Sequence, residues 1–249
     1  MNIALIILAA GKGTRMQSEL PKVLHEVAGA PMLVHAMRAG RALDPKRTII
    51  IAGHGFEAVS AAARAEDPEV EVVRQEAQLG TGHAVDQARA TLSDFDGTVI
   101  VLYGDCPLIQ SRTLEELCAT LSDSAVSVLG FEAKDPARYG RLITDGDKLK
   151  RIVEFKDASP AERAVSLCNS GVMAASAGLL FDLLTEIDAN NASGELYLTD
   201  VIGKAVARGL PCTAVRCAER ETLGVNSRVE LMQAEKEFQN LRRAEALED

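Results

Sequence analysis

The chain has 249 residues, of which 47% are hydrophobic and 25% charged, as in globular proteins of one large domain or two small ones. Its net charge of −9 and pI near 5.1 argue against binding to nucleic acid or to anionic membranes. Its five cysteines are odd in number and lack a Cys-x-x-Cys pair, so we expect free thiols in the cytoplasm. No apolar run approaches the roughly 18 residues of a membrane helix.

The first predicted element is a buried parallel strand from Ile3 to Leu8, because the run is short and apolar. The loop after it reads Leu8-Ala9-Ala10-Gly11-Lys12-Gly13-Thr14-Arg15-Met16 and is closed by Pro21-Lys22. Its glycines permit a sharp turn with outward-facing amides, which bind phosphate. Lys12, Arg15 and Lys22 add positive charge. We interpret this as a triphosphate-binding loop; a basic surface loop is the alternative.

Two other glycine motifs do not fit this loop. A dinucleotide fingerprint requires a third glycine where Met16 stands, and Ala30-Pro31 occupies the place of the ribose-binding acid. A Walker loop requires four residues between its glycines, but only Lys12 lies between them here. A dehydrogenase is therefore a weak alternative.

Strand and helix patterns alternate through the first half of the chain. Helices are predicted over Pro31 to Leu43, Phe56 to Ala65, Gly80 to Leu92 and Leu114 to Leu121. Strands are predicted over Thr48 to Ala52, Val70 to Val73, Thr98 to Tyr103 and Ala125 to Phe131. This alternation predicts a doubly wound, Rossmann-like α/β fold whose mainly parallel sheet binds ligands at the carboxyl ends of its strands.

The second half predicts a small mixed β lobe and a long last helix. Arg141 to Glu154 indicates a hairpin around Asp145-Gly146-Asp147. Further segments are predicted as a strand over Asn169 to Ala174, helices over Leu179 to Ile187 and Asp200 to Arg208, and a strand over Thr213 to Cys217. From Ser227 onward one apolar stripe is predicted on a helix, formed by Val229, Leu231, Ala234, Phe238, Leu241, Ala244 and Leu247.

The string L-A-A-G-K-G-T-R-M followed by P-K resembles the signature of sugar-1-phosphate nucleotidylyltransferases, and most closely the uridylyltransferase part of the bifunctional N-acetylglucosamine-1-phosphate uridylyltransferase/glucosamine-1-phosphate acetyltransferase family. The likeness recurs at Gln75 to His83, Tyr103 to Asp105, Tyr139-Gly140-Arg141, Glu154 to Asp157, Asn169 to Gly171, Gly194 to Asp200 and Gly224 to Asn226. It departs from the common family pattern at Phe155 and Ser170.

The resemblance implies transfer of UMP from UTP to N-acetylglucosamine 1-phosphate, with Arg15 and Lys22 as the catalytic cations. The substrate-binding residues that it implies are Leu8, Ala9, Ala10, Gly11, Gly13, Lys22, Gln75, Gly80, Thr81, Tyr103, Gly104, Asp105, Gly140, Glu154, Asn169 and Asn226, with Tyr197 and Thr199 as weaker candidates. Among these, Gln75, Gly80 and Thr81 are expected to read the base, and Glu154 and Asn169 to contact the sugar. His83 is expected to be structural.

Asp105 follows the strand that ends at Tyr103, and a carboxylate at such an edge suits Mg²⁺. The resemblance makes Asn226 the second metal ligand. The alternatives are a turn-capping role for Asp105 and an N-terminal cap of the last helix for Asn226.

The expected organisation is a nucleotidylyltransferase domain over residues 1–226 and a C-terminal helix over residues 227–249. In the bifunctional family such a helix leads to a β-helix acetyltransferase domain, which is absent from this sequence, so a monomer is mildly favoured. Another sugar phosphate or nucleotide, or a non-catalytic nucleotide-sugar sensor, remains an alternative function.

Overall fold

The centre of the computed structural model is a nine-stranded mixed sheet; the structure describes residues 2–248, apart from the side chains of residues 245 and 248. The strands are β1 Ile3–Ala9, β2 Glu26–Val27, β3 Ala30–Pro31, β4 Arg47–Ala52, β5 Glu71–Arg74, β6 Thr98–Tyr103, β7 Val126–Glu132, β8 Arg141–Asp145, β9 Lys148–Val153, β10 Leu167–Ser176 and β11 Cys212–Cys217. The α-helices are α1 Met32–Arg41, α2 Phe56–Glu66, α3 Thr81–Asp86, α4 Ser111–Ala119, α5 Pro160–Arg163, α6 Ala177–Leu184, α7 Asp200–Ala207 and α8 Arg228–Glu248.

The strand order is β5-β4-β1-β6-β10-β7-β11-β9-β8, and β2 pairs with β3 in a separate two-stranded hairpin. Strands β5, β4, β1 and β6 are parallel, β10 is antiparallel to both of its neighbours, and β11 is parallel to β7. The predicted mixed α/β sheet is confirmed, but it is not mainly parallel, because four of its eight neighbouring strand pairs are antiparallel. The β8–β9 hairpin around residues 145–148 is also confirmed.

Both faces of the sheet are buried, as the doubly wound prediction requires. Alternate residues of β1 point to opposite sides, so that Ile6 belongs to one core cluster while Leu5 and Ile7 belong to the other. Helices α1, α2 and α4 cover the second of these faces, and α3, α6 and α7 cover the first. This explains why the strands read as continuous apolar runs in the sequence.

The predicted helix from Gly80 to Leu92 is wrong in its length, because α3 ends at Asp86 and residues 87–94 form turns. After Asp86 the backbone amides of residues 87–89 bond three residues back instead of four. The guanidinium of Arg89 turns to the Asp86 carboxylate and to the Phe181 carbonyl oxygen. Leu92 stays buried through this tighter winding, so apolar spacing alone predicted a continuous helix.

In the second lobe one short helix was not predicted, and one predicted strand is longer than expected. Helix α5 begins with a capping box, in which the Ser159 and Glu162 side chains each bond the other's backbone amide, and Pro160 occupies the first turn. Strand β10 is longer than predicted and its register shifts between Asn169 and Met173. Such a bulge re-aims side chains, and Gly171 within it has a φ of +89°.

The apolar stripe predicted on the last helix is wrong at both ends. Val229 and Leu247 are exposed, at 70% and 87% of their surface. Instead, Ala234 is fully buried, and Phe238 packs edge-on against His35 with ring centroids 5.2 Å apart. Glu235 accepts a hydrogen bond from the Ala28 amide of the β2–β3 hairpin. The central part of α8 is therefore attached to the hairpin that follows the glycine loop.

No helix within residues 2–248 is long and apolar enough to cross a membrane. All five cysteines are free thiols, in agreement with the sequence analysis.

Substitution of Phe238 by Ala should lower the free energy of unfolding by about 2 kcal/mol, because it removes a half-buried ring from the α8 contact. Urea denaturation measures this change. The control is Val229→Ala on the same helix, which should be nearly neutral because Val229 is exposed. Equal losses in the two variants would contradict the packing described here.

Candidate active site

A cavity of about 320 Å³ opens at the carboxyl ends of β1, β5 and β6. The chain runs outward from β1 to β4 on one side and to β6 on the other, so this is a point where the winding of the sheet reverses. Ligands bind at such points in open α/β sheets. Ten of the residues implied by the resemblance line the cavity: Leu8, Ala9, Ala10, Gly11, Lys22, Gln75, Gly80, Thr81, Tyr103 and Asp105.

Lys22 joins Asp105 and Asn226 at this cavity. Its ammonium group makes a short ion pair with Oδ2 of Asp105 and donates to Oδ1 of Asn226 at 3.0 Å. The side chains of Lys22 and Asp105 are only 12% and 16% exposed. The Lys22 ammonium thus lies between two acceptor oxygens, from residues that are 121 positions apart in the sequence.

The backbone explains how Asn226 reaches this place. The amide of Val225 donates to the carbonyl oxygen of Asp105 at 2.9 Å, and Val225 itself is fully buried. The cap of α8 is provided by Ser227, whose hydroxyl accepts from the Glu230 amide while the Glu230 carboxylate accepts from the Asn226 amide. The Asn226 side chain is therefore not the cap of the last helix, and its amide oxygen is available to Lys22.

The Asp105 side chain is also free of a capping role. Within residues 2–248 its carboxylate interacts with Lys22 and, at 3.7 Å, with the Cys106 thiol, and no backbone amide donates to it. Burial, and next the Asp105 charge, raise the pKa of the Cys106 thiol, which keeps it protonated. A neutral buried thiol is not a nucleophile.

The glycine loop packs directly against Lys22. Gly13 has a φ of +62°, and a Cβ built on it would lie 2.6 Å from Cβ of Lys22. The other two cations do not join Lys22, contrary to the expected cluster. Arg15 is exposed without an ion pair in the described part of the chain, and Lys12 lines a neighbouring cavity with Arg74. The loop buries the Met16 side chain, so the side chains of Lys12 and Arg15 point outward.

The segment from Gln75 to Thr81 forms the opposite wall of the cavity. Gln75 is 4% exposed, and its side-chain nitrogen donates to the Gly80 carbonyl oxygen at 3.2 Å. Gly80 has a φ of +113°, and a Cβ there would lie 2.5 Å from the Leu196 carbonyl oxygen. The Thr81 hydroxyl accepts from the Leu198 amide. These bonds attach the segment to the second lobe.

Tyr103, Asn169, Gly140 and Glu154 form a continuous wall from the cavity into the second lobe. A Cβ on Gly171 would lie 2.5 Å from the Tyr103 ring, and the Gly171 amide donates to Oδ1 of Asn169. The backbone amide of Asn169 donates to the Gly140 carbonyl oxygen at 2.8 Å. A Cβ on Gly140 would lie 3.4 Å from both carboxylate oxygens of Glu154, so Gly140 and Glu154 are direct neighbours in this wall.

Glu154 borders a second, larger cavity of about 600 Å³, shared with Tyr197 and Thr199. The Thr199 hydroxyl donates to the Glu154 carboxylate at 3.1 Å. Burial raises the pKa of Glu154 despite this hydrogen bond, and the nearby charges of Asp200 and Asp157 act in the same direction. Gly104, just past β6, lies behind the wall, where its amide donates to the Leu8 carbonyl oxygen.

Four cavity residues were missed by the sequence analysis: Val23, Gln78, Ala84 and Glu195. The Gln78 side chain donates to the Ala10 carbonyl oxygen at 2.6 Å and so joins the glycine loop to the opposite wall. Gln78 lies inside the segment from Gln75 to His83, but nothing in the sequence distinguishes it from the other residues of the segment to which the resemblance assigns no role. Glu195 arrives from the second lobe through the backbone pairing of Leu196 with Leu79.

Comparison with known proteins places residues 5–181 in the family described as MobA-like NTP transferase domain. The chain is 60% identical over 248 residues to the bifunctional protein GlmU of Ruegeria pomeroyi, covering 100% of this chain and 55% of that protein. It is 57% identical over 249 residues to the bifunctional protein GlmU of Roseobacter denitrificans, with the same coverage. The chain thus spans about half the length of these relatives.

Two solved structures are similar in fold. A UDP-glucose pyrophosphorylase complexed with UDP-glucose has a TM-score of 0.75 at 16% identity, covering 96% of this chain and 99% of that one. A putative glucose-1-phosphate thymidylyltransferase from Bacillus anthracis has a TM-score of 0.74 at 23% identity, covering 94% of each chain.

Substitution of Glu154 by Gln should raise the melting temperature at pH 7.5. Because the pKa of Glu154 is raised in the folded state, its ionised form costs stability at every pH above that pKa. Gln removes this cost and still accepts from Thr199. The difference from the native protein should shrink as the pH falls below the ordinary Glu pKa of about 4.3, where the carboxyl is protonated in both states.

Melting curves at several pH values measure this effect. Glu115→Gln, at an exposed position of α4, is the control and should change little at any pH. A Glu154→Gln variant with the native melting temperature at pH 7.5 would refute the raised pKa of Glu154.

Proposed function

The chain belongs to the MobA-like NTP transferase family, and we propose that it transfers UMP from UTP to N-acetylglucosamine 1-phosphate, releasing pyrophosphate. The choice of nucleotide and sugar rests on the motifs shared with uridylyltransferases and on the identity of about 60% to proteins named GlmU. Because the chain covers 55% of those relatives, the proposal concerns this one reaction and no second activity.

The observation that carries the proposal is the contact of Lys22 with Asp105 and Asn226 at the cavity behind β1. Nucleotidyl transfer requires little covalent chemistry, since the sugar phosphate oxygen attacks the α-phosphorus in line and pyrophosphate leaves. The protein must orient two anions that repel each other and neutralise their charge. A lysine beside outward-facing loop amides is suited to both tasks.

The roles that we propose follow from position. The amides from Gly11 to Gly13 hold the β- and γ-phosphates, with Gly11 at the cavity itself, and the Lys22 ammonium, which also lines the cavity, stabilises charge on the α-phosphate during transfer. Arg15 is exposed on the same loop and would have to turn inward to reach the incoming phosphate. Gln75 and Gly80 hold the uracil, and the Thr81 hydroxyl attaches this segment to the Leu198 amide of the second lobe.

Asp105 and Asn226 fit Mg²⁺ as its protein ligands. Both offer oxygen, which is the donor that this ion prefers, and their oxygens already converge on one cation, the Lys22 ammonium. Within residues 2–248 no three His, Cys, Asp or Glu side chains gather, so the remaining ligands must come from phosphates and water. Bound there, Mg²⁺ would neutralise phosphate charge.

The sugar is expected to lie along the wall that includes Tyr103, Gly140, Glu154 and Asn169. The Glu154 carboxylate can accept hydrogen bonds from sugar hydroxyl groups, and the Asn169 side-chain amide can pair with an N-acetyl group. Gly140 lies beside both of these side chains, so all three residues would face the same ligand.

The test is pyrophosphate release by the purified chain with Mg²⁺, using four nucleoside triphosphates against a panel of sugar 1-phosphates. The proposal expects the highest kcat/KM for UTP with N-acetylglucosamine 1-phosphate. A different best pair would reassign the substrates within the family. Binding of nucleotide sugars without pyrophosphate release from any pair would indicate a sensor and refute the proposal.

Substitution of Lys22 by Ala should lower kcat by about two to three orders of magnitude, the usual cost of removing a group that stabilises transition-state charge. Binding of the UDP-sugar should weaken much less, because the Lys22 charge matters most while the α-phosphate is transferred. Steady-state kinetics and calorimetry with UDP-N-acetylglucosamine measure the two effects.

Lys134→Ala, at an exposed position after β7, is the matched control and should leave both quantities unchanged. A second readout needs no turnover. Without nucleotide, the native protein should bind Mn²⁺ weakly and Lys22→Ala should bind it more tightly, because Asp105 then lacks its resident cation. Equal losses in kcat and in UDP-sugar affinity would make Lys22 a ground-state binding residue instead.

A further inference from the structure

The side chain of Arg141, the first residue of β8, is buried without a counter-charge. It is 2% exposed, and within residues 2–248 its guanidinium makes no ion pair and its Nε has no hydrogen-bond partner. The other two nitrogens donate to backbone carbonyl oxygens: Nη1 to Tyr139, and Nη2 to Ala137 at 3.2 Å and to Arg163 at 3.3 Å. A buried charge is costly, so these three bonds are what the guanidinium is retained to make.

The register of the sheet places Arg141 directly behind the wall that leads into the second lobe. Arg141 pairs with Val153 of β9 on one side and with Cys168 of β10 on the other. The adjoining position on each of the three chain segments belongs to the wall: Gly140, Glu154 and Asn169. Successive residues point to opposite faces, so Arg141 lies behind the wall and acts on a ligand only through it.

Arg141 also stabilises a strained turn at the entrance to the wall. Ala137 has a φ of +38°, which is unfavourable for a residue with a side chain, and the turn closes by a bond from the Tyr139 amide to the Pro136 carbonyl oxygen. The guanidinium binds the carbonyl oxygens of both Ala137 and Tyr139. The Tyr139 oxygen shares a planar peptide group with the Gly140 amide. The bonds from Arg141 therefore orient the peptide that leads into Gly140.

The same guanidinium lies near the residue that follows Glu154. The ring centroid of Phe155 is 5.9 Å from Cζ of Arg141 and 4.5 Å from Cζ of Arg163. Both distances are within the range of about 6 Å in which a cation is attracted to an aromatic face. Because Arg141 also binds the Arg163 carbonyl oxygen, the two arginines hold Phe155 together. Glu154 is thereby restrained on its C-terminal side.

We propose that Arg141 is a positioning residue for the sugar: from behind the wall it holds Gly140 and Glu154 where they meet the ligand. It increases the affinity for the sugar phosphate and not for UTP, because in the described part of the chain none of its hydrogen bonds reaches the loop after β1 or the segment from Gln75 to Thr81. The inference rests on the proposed function, in which the sugar lies along this wall.

The experiment measures KM for UTP and KM for the preferred sugar 1-phosphate in the native protein, Arg141→Met and Arg141→Lys. Met can be buried at this place but binds no carbonyl oxygen. Lys keeps the charge, but its compact ammonium group does not replace the planar fork of the guanidinium. We expect Arg141→Met to raise KM for the sugar phosphate about tenfold, and Arg141→Lys to raise it less, with KM for UTP unchanged.

An equal rise in both KM values, or an unchanged KM for the sugar phosphate, would overturn the inference. If Arg141→Met does not fold, Arg141→Lys supports the same comparison at a smaller expected rise. The control for loss of stability alone is Leu149→Ala, because Leu149 is 1% exposed at the other end of β9. It should lower the melting temperature and leave both KM values unchanged. A selective rise in KM for the sugar phosphate in this control would also overturn the inference.

Calorimetry gives a readout that does not depend on turnover. Arg141→Met should bind UDP as tightly as the native protein does, and UDP-N-acetylglucosamine about tenfold more weakly. This selective loss in a protein that releases no pyrophosphate would support the inference and refute the proposed function. Pyrophosphate release from UTP and N-acetylglucosamine 1-phosphate, with equal losses of UDP and UDP-sugar affinity in Arg141→Met, would support the proposed function and overturn the inference.

Discussion

The site depends on one electrostatic contact, in which the Lys22 ammonium is held between the Asp105 carboxylate and the Asn226 amide oxygen. These residues come from the loop after β1, the end of β6 and the turn before α8. Two half-buried groups of opposite charge stabilise each other here, and removal of either would leave the other poorly solvated.

Backbone constraints bring these groups together. Parallel strands β1 and β6 end side by side, with Leu8 opposite Tyr103, so the loops that follow them share one edge of the sheet. Gly13 lets the first loop lie against Lys22, and the Val225 amide binds the chain after Asp105. On the far side, Gly80 permits the segment from Gln75 to Thr81 to pair with Leu196 of the second lobe. The wall of the main cavity and the wall toward the second lobe are thereby joined.

Much of this could be predicted from the sequence. The alternation of apolar strands with helices predicted the order of the α-helices and of the main-sheet strands through Phe131, but not the β2–β3 hairpin, because burial on both faces leaves continuous apolar runs only in the main sheet. The resemblance supplied most of the residues that line the cavity, among them Lys22, Gln75 and Asp105. It also paired Asp105 with Asn226, which no spacing rule could do, since the two side chains reach Lys22 together only through the backbone bond from Val225 to Asp105. The assignment of catalytic and binding roles remains a proposal.

The errors have physical causes. Helical spacing alone does not show which apolar residues of a helix pack against the rest of the protein. The stripe predicted on α8 therefore wrongly included the exposed Val229 and Leu247 together with Ala234 and Phe238. Apolar residues also keep a helix-like spacing where the backbone hydrogen bonds change from four residues back to three residues back. The sequence therefore did not show that α3 ends at Asp86. The positive charge of a loop residue does not determine whether its side chain points into the cavity or toward solvent, and Arg15 is exposed to solvent. The contact of the His83 ring with the Gln75 side chain, at 2.9 Å, depends on individual ring and amide atoms, which no sequence pattern reports.

The central claim is that the loop behind β1 and the Lys22 site together hold a triphosphate. A crystal structure of the protein with Mg²⁺ and a non-hydrolysable UTP analogue tests it most directly. The account predicts phosphates on the amides from Gly11 to Gly13, with the metal ion on Asp105 and Asn226. A nucleotide bound elsewhere, or an Asp105 carboxylate turned away from it, would contradict the account.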